Sequence, residues 1–229
     1  MKRKITSFFI LLVIFLNILR VDAGAEASNV YRRVESDGKK IALTFDDGPH
    51  PRITRDILGI LEEYGIKATF FVIGQNVVNY PEAMEILVKS GCEIGNHTYS
   101  HENFRSMGLD EIQREFGKCR QTLVERFSVE PTLIRPPQGI CSQELSIVSD
   151  EMDCDIILWS IDTRDWDHTS ASDIARNVLM NARGGDIVLM HDYVSGKSGT
   201  CEALRIIIPE LLERGFEFVT VGELIGNKA

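Results

Sequence analysis

The chain has 229 residues, 44% of them hydrophobic, which is enough for one domain with a sizeable core. Its first 25 residues contain four Lys or Arg and one Asp, so without them the net charge falls from −9 to −12. A domain this acidic is a poor nucleic-acid binder by bulk electrostatics, so we expect no nucleic-acid partner.

The N-terminus has the pattern of a secretory signal. Three basic residues at positions 2 to 4 precede an apolar run at 5–19, and small-x-small cleavage sites follow at 23–25 and 25–27. The apolar run is short for a transmembrane helix. We therefore expect residues 1–27 to be a signal peptide and the protein to be secreted or associated with the cell wall. The alternative is an uncleaved N-terminal membrane anchor with the domain facing outside.

A short polar leader at 28–39 is followed by alternating strands and helices over 40–229, which we take as one domain. The apolar patterns predict strands at 40–45, 68–72, 92–95, 133–135, 155–160, 186–190 and 217–221. Helices are predicted at 53–64, 81–89, 109–127, 143–149, 172–180 and 201–214, the fifth of them capped by Ser172. This alternation predicts a parallel sheet. With about seven units and no Gly-rich phosphate loop, a closed or nearly closed barrel is favoured over an open doubly wound sheet.

The first strand runs into the hexapeptide Thr44-Phe45-Asp46-Asp47-Gly48-Pro49. Gly48-Pro49 ends the strand, so the two carboxylates lie at the rim of the sheet. Adjacent side chains on extended backbone point in opposite directions. One carboxylate can therefore bind a metal while its neighbour handles a proton. A solvated turn is the alternative interpretation.

Polar residues also follow four other predicted strands: His97, His101, Arg135, Asp162, Asp165 and His191. In a parallel barrel the carboxyl ends of the strands share one face, where active sites lie. Two histidines four residues apart can reach one cation, and Asp47 would complete a set of ligands that leaves positions open for water and substrate. The alternatives are a polar loop for the histidines and a surface position for Arg135.

Five cysteines are present, and none forms a C-x-x-C pair, so a zinc ribbon or thioredoxin-like fold is unsupported. Either Cys141 pairs with Cys154 or the cysteines are buried free thiols, which is the interpretation we favour.

Residues 40 to about 225 resemble the polysaccharide deacetylase family, the NodB-homology domain of the fourth carbohydrate esterase family. Five ordered motifs carry the resemblance: Thr44 to Pro49, His97 to His101, Arg135-Pro136-Pro137-Gln138-Gly139, Asp162-Thr163-Arg164-Asp165-Trp166 and Leu189-Met190-His191. The resemblance implies an α/β fold, a single distorted (β/α) barrel of about seven parallel strands. It also implies an active site at the C-terminal strand ends.

The resemblance implies a role for each of ten residues. Asp46 would be the general base, oriented by Arg135, and His191 the general acid, held by Asp165. The metal ligands would be Asp47, His97 and His101, which hold one divalent ion, with zinc favoured and cobalt or nickel as possible substitutes. Gln138, Trp166 and Leu189 would contact the substrate. Gln138 stands where the family commonly has Tyr, so a backbone N–H is retained and the contacts of a ring are lost.

The implied activity is metal-dependent hydrolysis of N-acetyl groups on an amino-sugar polymer, peptidoglycan or a chitin-like N-acetylglucosamine chain, with release of acetate. We expect a monomer with an acetylated polysaccharide as its substrate. One alternative is an O-deacetylase of acetylxylan. Another, of a different class, is a sugar-binding protein that has lost turnover, and the intact acid, base and ligand residues argue against it.

Overall fold

The computed structural model describes residues 30–35, 38–194 and 198–226. The expected signal peptide, residues 1–27, lies outside these ranges. Among the helices within them, none is long and apolar enough to span a membrane.

Nine strands and eight α-helices lie in the described residues. The strands are β1 Val30–Tyr31, β2 Lys40–Asp46, β3 Thr69–Val72, β4 Glu93–Asn96, β5 Leu133–Ile134, β6 Asp155–Ile157, β7 Ile161–Asp162, β8 Ile187–His191 and β9 Glu217–Phe218. The helices are α1 Ile53–Glu63, α2 Gly74–Asn79, α3 Pro81–Lys89, α4 Leu109–Phe127, α5 Gln143–Met152, α6 Ala171–Asn181, α7 Thr200–Glu213 and α8 Val221–Ile225. Short 3₁₀ turns follow three strands, at Phe104–Ser106, Pro137–Gly139 and Asp165–Asp167.

The sheet has the order β1-β6-β5-β4-β3-β2-β8-β7, with β9 added beside the start of β2. The ladders between these strands are all parallel. Strand β2 is central, because Thr44 pairs with Thr69 of β3 on one side and with Leu189 of β8 on the other. The predicted α/β fold with a parallel sheet is confirmed.

The connection between β6 and β7 shows that this sheet curls into a distorted barrel. The two strands lie six positions apart in the strand order, which is roughly 29 Å in a flat sheet. The four residue steps from Ile157 to Ile161 reach roughly 14 Å at most. The prediction of one strand over 155–160 is therefore wrong, since β6 pairs with β5 up to residue 156 and β7 pairs with β8 from residue 161.

The side chains of β2 alternate between the two sides of the barrel wall. Ile41, Leu43 and Phe45 are fully buried in the large core under the helices. Ala42 belongs to a second buried cluster on the other face of the sheet. Because successive side chains alternate, Thr44 and Asp46 also face the barrel interior. This register brings Asp46 to the inner rim of the barrel.

Several boundaries differ from the sequence-based expectations. Ser170, not Ser172, caps α6, and its hydroxyl accepts a hydrogen bond from the Asp173 N–H at 3.2 Å. The strand predicted at 217–221 is the two-residue β9 followed by α8. The short helix α2 was not predicted, and the polar leader contributes β1.

All five cysteines are described, and all are free thiols. Cys92, Cys119 and Cys154 are buried, as the favoured interpretation predicts, whereas Cys201 is half-buried and Cys141 is exposed. The alternative pairing of Cys141 with Cys154 is not formed.

Candidate active site

One cavity of about 390 Å³ opens at the carboxyl ends of the strands. Its lining consists of acidic, imidazole, aromatic and aliphatic side chains from six loops: Asp46, Asp47, His97, His101, Gln138, Trp159, Asp162, Trp166, Leu189 and His191. Eight of the ten residues to which the family resemblance gives a role are among them. The other two, Arg135 and Asp165, are fully buried beneath the lining.

Asp46 is held from below by Arg135. The Nη1 of Arg135 donates to Asp46 Oδ1 at 2.7 Å, and both side chains are almost completely buried. The other carboxylate oxygen, Oδ2, lies 3.7 Å from His97 Nε2. One oxygen of Asp46 is therefore fixed, and the other faces the cavity where a proton can be taken up.

Asp47, His97 and His101 form a cluster with the spacing of a metal site. Asp47 Oδ1 lies 3.4 Å from the Nε2 atoms of both histidines. Tetrahedral zinc with bonds of about 2.0–2.1 Å places its ligand atoms roughly 3.4 Å apart. Asp47 Oδ1 is also buried without a hydrogen-bond partner among the described residues. The donor set and this orphaned oxygen fit a divalent cation.

The hydrogen bond behind His97 fixes which ring nitrogen can bind a metal. His97 Nδ1 lies 2.7 Å from the carbonyl oxygen of Arg135. A carbonyl only accepts, so Nδ1 carries the hydrogen and Nε2 keeps its lone pair towards Asp47. A hydrogen bond from the other ring nitrogen to a carbonyl orients metal-binding histidines in this way.

Without a cation, charges within the cluster perturb its members in different directions. Burial opposes protonation of His97, but Asp46 and Asp47 outweigh it and raise the pKa of His97. Burial and the neighbouring His97 lower the pKa of His101. Burial opposes ionisation of Asp47, yet its contacts with His97 hold the pKa of Asp47 below its ordinary value. In the absence of a cation, the two carboxylates therefore stabilise a proton on His97.

His191 is held by Asp165 on the opposite side of the catalytic lining. Its Nδ1–H donates to Asp165 Oδ1 at 2.8 Å, and its backbone N–H donates to Oδ2 at 2.8 Å. The Thr200 hydroxyl also donates to Oδ2, at 2.6 Å. Burial disfavours the imidazolium, but Asp165 overrides it and, with Asp46 and Asp47, raises the pKa of His191 to about 9. In the metal-free site this pKa favours the imidazolium form of His191 at neutral pH.

The remaining lining residues form the walls of the cavity. Trp166 exposes 48% of its surface, which excludes a core position, while Leu189 is almost fully buried. Gln138 is exposed and has a left-handed φ of 58° in the turn after β5. Sequence reasoning missed Trp159, whose ring lies so close to Gly139 that a Cβ there would be 2.7 Å away.

Asp192 is a second residue that sequence reasoning missed. It is fully buried, accepts from the Thr54 hydroxyl at 2.5 Å, and its Oδ1 has no hydrogen-bond partner among the described residues. Burial, together with Asp47 and Asp46, raises the pKa of Asp192 to about 7. Its backbone N–H donates to the Asp46 carbonyl at 3.1 Å, so it ties β8 to the turn that carries both aspartates. The sequence did contain a signal for Asp192, because its carboxylate directly follows His191 at the end of a predicted strand.

Comparison with known proteins identifies the family of the chain. The family model for polysaccharide deacetylase matches residues 33–156. The chain belongs to the polysaccharide deacetylase family. A peptidoglycan-N-acetylglucosamine deacetylase of Bacillus cereus is 38% identical over 197 residues, covering 85% of this chain and 92% of that protein.

Two solved structures are similar to this chain over most of the fold. The peptidoglycan N-acetylglucosamine deacetylase Bc1960 superposes with a TM-score of 0.82 and 35% identity, covering 85% of this chain and 92% of its own. BA3943 of Bacillus anthracis, a CE4 family pseudoenzyme, superposes with a TM-score of 0.81 and 29% identity, covering 87% of this chain and 69% of its own. The family thus includes active and inactive members with the same architecture.

We predict that metal binding to this site releases protons. His97 must lose the proton that Asp46 and Asp47 stabilise before Nε2 can bind a cation. Below the raised pKa of His97, affinity for Zn²⁺ or Co²⁺ should therefore fall about tenfold per pH unit. Calorimetry in buffers of different ionisation enthalpy measures the protons released.

His97→Ala serves as the comparison, because it should bind the ion more weakly and release fewer protons. At a pH below the pKa of His97, binding heats of the unmodified protein that do not depend on the buffer would contradict the assignment of His97 as a ligand.

Proposed function

We propose that the protein is a divalent-metal-dependent N-deacetylase that removes acetyl groups from N-acetylglucosamine units of peptidoglycan. The observation that carries this proposal is the shared cavity of three elements: a fixed carboxylate at Asp46, a protonated imidazole at His191, and the Asp47–His97–His101 cluster. Hydrolysis of an amide needs a base, an acid and a site that stabilises negative charge.

The proposed division of labour follows from how each group is held. When bound, a divalent cation polarises a carbonyl oxygen and lowers the pKa of water from 15.7 towards about 7. Asp46 accepts the proton of the attacking water on Oδ2, because its Oδ1 is occupied by Arg135. The backbone N–H of Gln138 stabilises the oxyanion that develops on the acetyl carbonyl.

His191 completes the reaction by protonating the departing sugar nitrogen from Nε2. Its Nδ1 is occupied by Asp165, and its raised pKa keeps the second proton available at neutral pH. An amine is a poor leaving group until it is protonated, so this step is expected to contribute roughly 10²–10⁴-fold to the rate. Acetate and a glucosamine unit are the products.

Two observations support a glycan as substrate. Trp166 presents a half-exposed ring beside the cavity, which suits stacking on a sugar face, and Leu189 provides an apolar wall for the acetyl methyl. Similar proteins of nearly the same length are named for peptidoglycan N-acetylglucosamine deacetylation. A peptidoglycan substrate in turn implies action outside the cytoplasm, which is consistent with the signal peptide predicted at residues 1–27.

The alternative of a sugar-binding pseudoenzyme deserves a test, because BA3943 has the same fold. In this chain the base, the acid, their two partners and the three ligand residues are all intact. The hydrogen bonds that orient Asp46, His97 and His191 are all formed. These contacts favour turnover over binding alone.

We predict acetate release from N-acetylated peptidoglycan and chitooligosaccharides, complete inhibition by a chelator, and recovery on adding Zn²⁺ or Co²⁺. His101→Ala should lose both bound metal and activity, since it removes one of three ligands. Acetate is measured with each polymer at equal acetyl concentration. Preferential release from acetylxylan would identify an O-deacetylase, and no release from any polymer would favour the pseudoenzyme.

The roles of Asp46 and His191 are separated by comparing an amide with an activated ester. His191→Ala should lose far more kcat/KM on an N-acetylglucosamine oligomer than on an aryl acetate, because the aryl oxide leaves without protonation. Asp46→Asn should lose about 10²-fold or more on both substrates. Both variants should retain metal, as measured by elemental analysis. Equal losses on amide and ester in His191→Ala would remove His191 from the general-acid role.

A further inference from the structure

The loop that carries both histidine ligands has an unusual backbone. Thr98 and His101 have positive φ angles of 70° and 56°, although neither is glycine. Side-chain-bearing residues seldom adopt this conformation, and they keep it only where surrounding contacts impose it. Since His97 and His101 must place their Nε2 atoms at a fixed separation, the groups that hold this loop also determine the metal site.

The carbonyl groups of the loop are held by the start of α2. The Gly74 N–H donates to the Thr98 carbonyl at 3.0 Å, and the Gln75 N–H donates to the Tyr99 carbonyl at 2.8 Å. Tyr99 packs so closely on Gly74 that a Cβ there would be 2.6 Å from its ring. One side of the loop is therefore held by two backbone hydrogen bonds and by the packing of the Tyr99 ring on Gly74.

The donor groups on the other side are held by Glu115 of α4. A single oxygen, Oε2, accepts from the Tyr99 N–H at 3.1 Å, the Ser100 N–H at 2.8 Å and the Ser100 hydroxyl at 2.9 Å. Glu115 is half-buried and lies more than a dozen residues from the loop in sequence. Three donors converging on one carboxylate oxygen make a strong, charge-assisted contact.

Neighbouring residues of the same helix add to this contact. The Asn96 side chain donates to the Phe116 carbonyl at 2.9 Å and accepts from the Thr98 N–H at 3.0 Å. Lys118 lies 3.6 Å from the centre of the Tyr99 ring. One helical turn of α4, which begins at Glu115, thus contacts the loop from Asn96 to Ser100.

We propose that Glu115 is a positioning residue of the metal site, which sets the geometry of His97 and His101 through the backbone between them. Glu115 belongs neither to the cavity lining nor to the Asp47–His97–His101 cluster. The inference rests on the proposed metal-dependent function. Removal of the acceptor leaves two backbone N–H groups without their partner and frees the loop to leave its strained conformation. Loss of a group that holds metal ligands in place typically lowers metal affinity by about 10–100-fold.

The test is titration of the metal-free protein with Co²⁺, read by its visible absorption bands, which report both affinity and coordination geometry. Glu115→Ala should weaken Co²⁺ binding by about 10–100-fold and change the band intensities. Glu125→Ala is the matched control, because Glu125 is an exposed residue of the same helix that contacts only Gln121 among the described hydrogen bonds. It should bind within about twofold of the unmodified protein.

Two further substitutions distinguish a positioning role of Glu115 from an effect of its charge and from a general loss of folding. Glu115→Asp keeps the charge but withdraws the oxygen by one methylene, so it should weaken binding almost as much as Glu115→Ala. Glu115→Gln keeps an acceptor at the same reach and should restore most of the affinity. If Glu115→Ala fails to fold, the comparison of Glu115→Asp with Glu115→Gln tests the positioning role.

The outcomes distinguish this proposal from the proposed function. Failure of the unmodified protein to bind Co²⁺ would overturn the metal-dependent function itself. Normal binding by the unmodified protein, together with Glu115→Asp and Glu115→Ala (where folded) within about twofold of the Glu125 control, would overturn the positioning role alone.

Discussion

Burial of the Arg135 guanidinium is the constraint on which the active site depends. The group is fully buried, with Nε donating to the Ile157 carbonyl at 3.1 Å and Nη2 to the Leu158 carbonyl at 3.0 Å. Its Nη1 donates to both Thr44 Oγ1 and Asp46 Oδ1, at 2.8 and 2.7 Å. An unpaired buried charge costs several kcal/mol, so the barrel interior is built around the pairing of this residue with Asp46.

Arg135 supports the proton-transfer site and the metal site through two different groups. Its side chain orients Asp46, while its carbonyl oxygen accepts from His97 Nδ1 and fixes the tautomer that can bind a cation. The Phe71 ring lies 4.1 Å from the guanidinium carbon and closes the space below it. Alternation along β2 places Thr44 and Asp46 on the inner side of the barrel, where a guanidinium entering from β5 can reach both. Fold and chemistry are thus linked through one side chain.

Features with strong local periodicity could be predicted from the sequence. The bounds of α4 and α3 agree with the prediction because each presents a regular apolar face. The split of 155–160 into β6 and β7 could not be predicted, because local pattern does not reveal that a strand changes its neighbour. The cap of α6 was misplaced for a simpler reason: Ser170 and Ser172 are equally suitable in sequence, and only the backbone geometry distinguishes them.

For the site, position after a strand was sufficient to predict that the two aspartates after β2, the two histidines after β4 and His191 lie at one face, whereas Gln138, Trp166 and Leu189 were assigned by the family resemblance. What the sequence did not show was which residues support them. Glu115 and Asp192 act through contacts between distant segments, and Trp159 enters the cavity only because the chain crosses between the two ends of the sheet. The burial of Arg135 likewise follows from the closure of the barrel. The sequence alone left a surface position open for this residue.

The most direct test of this account is to measure turnover and Co²⁺ affinity together in Arg135→Lys, with Arg126→Lys as the exposed control. Lysine keeps the charge, but one ammonium cannot satisfy four acceptors arranged for a planar guanidinium. The account predicts that kcat/KM on an N-acetylglucosamine oligomer falls by about 10²-fold or more. Co²⁺ affinity should stay within about threefold, because the main-chain carbonyl still orients His97. Unchanged turnover in a folded variant, or a parallel loss of metal and turnover, would contradict it.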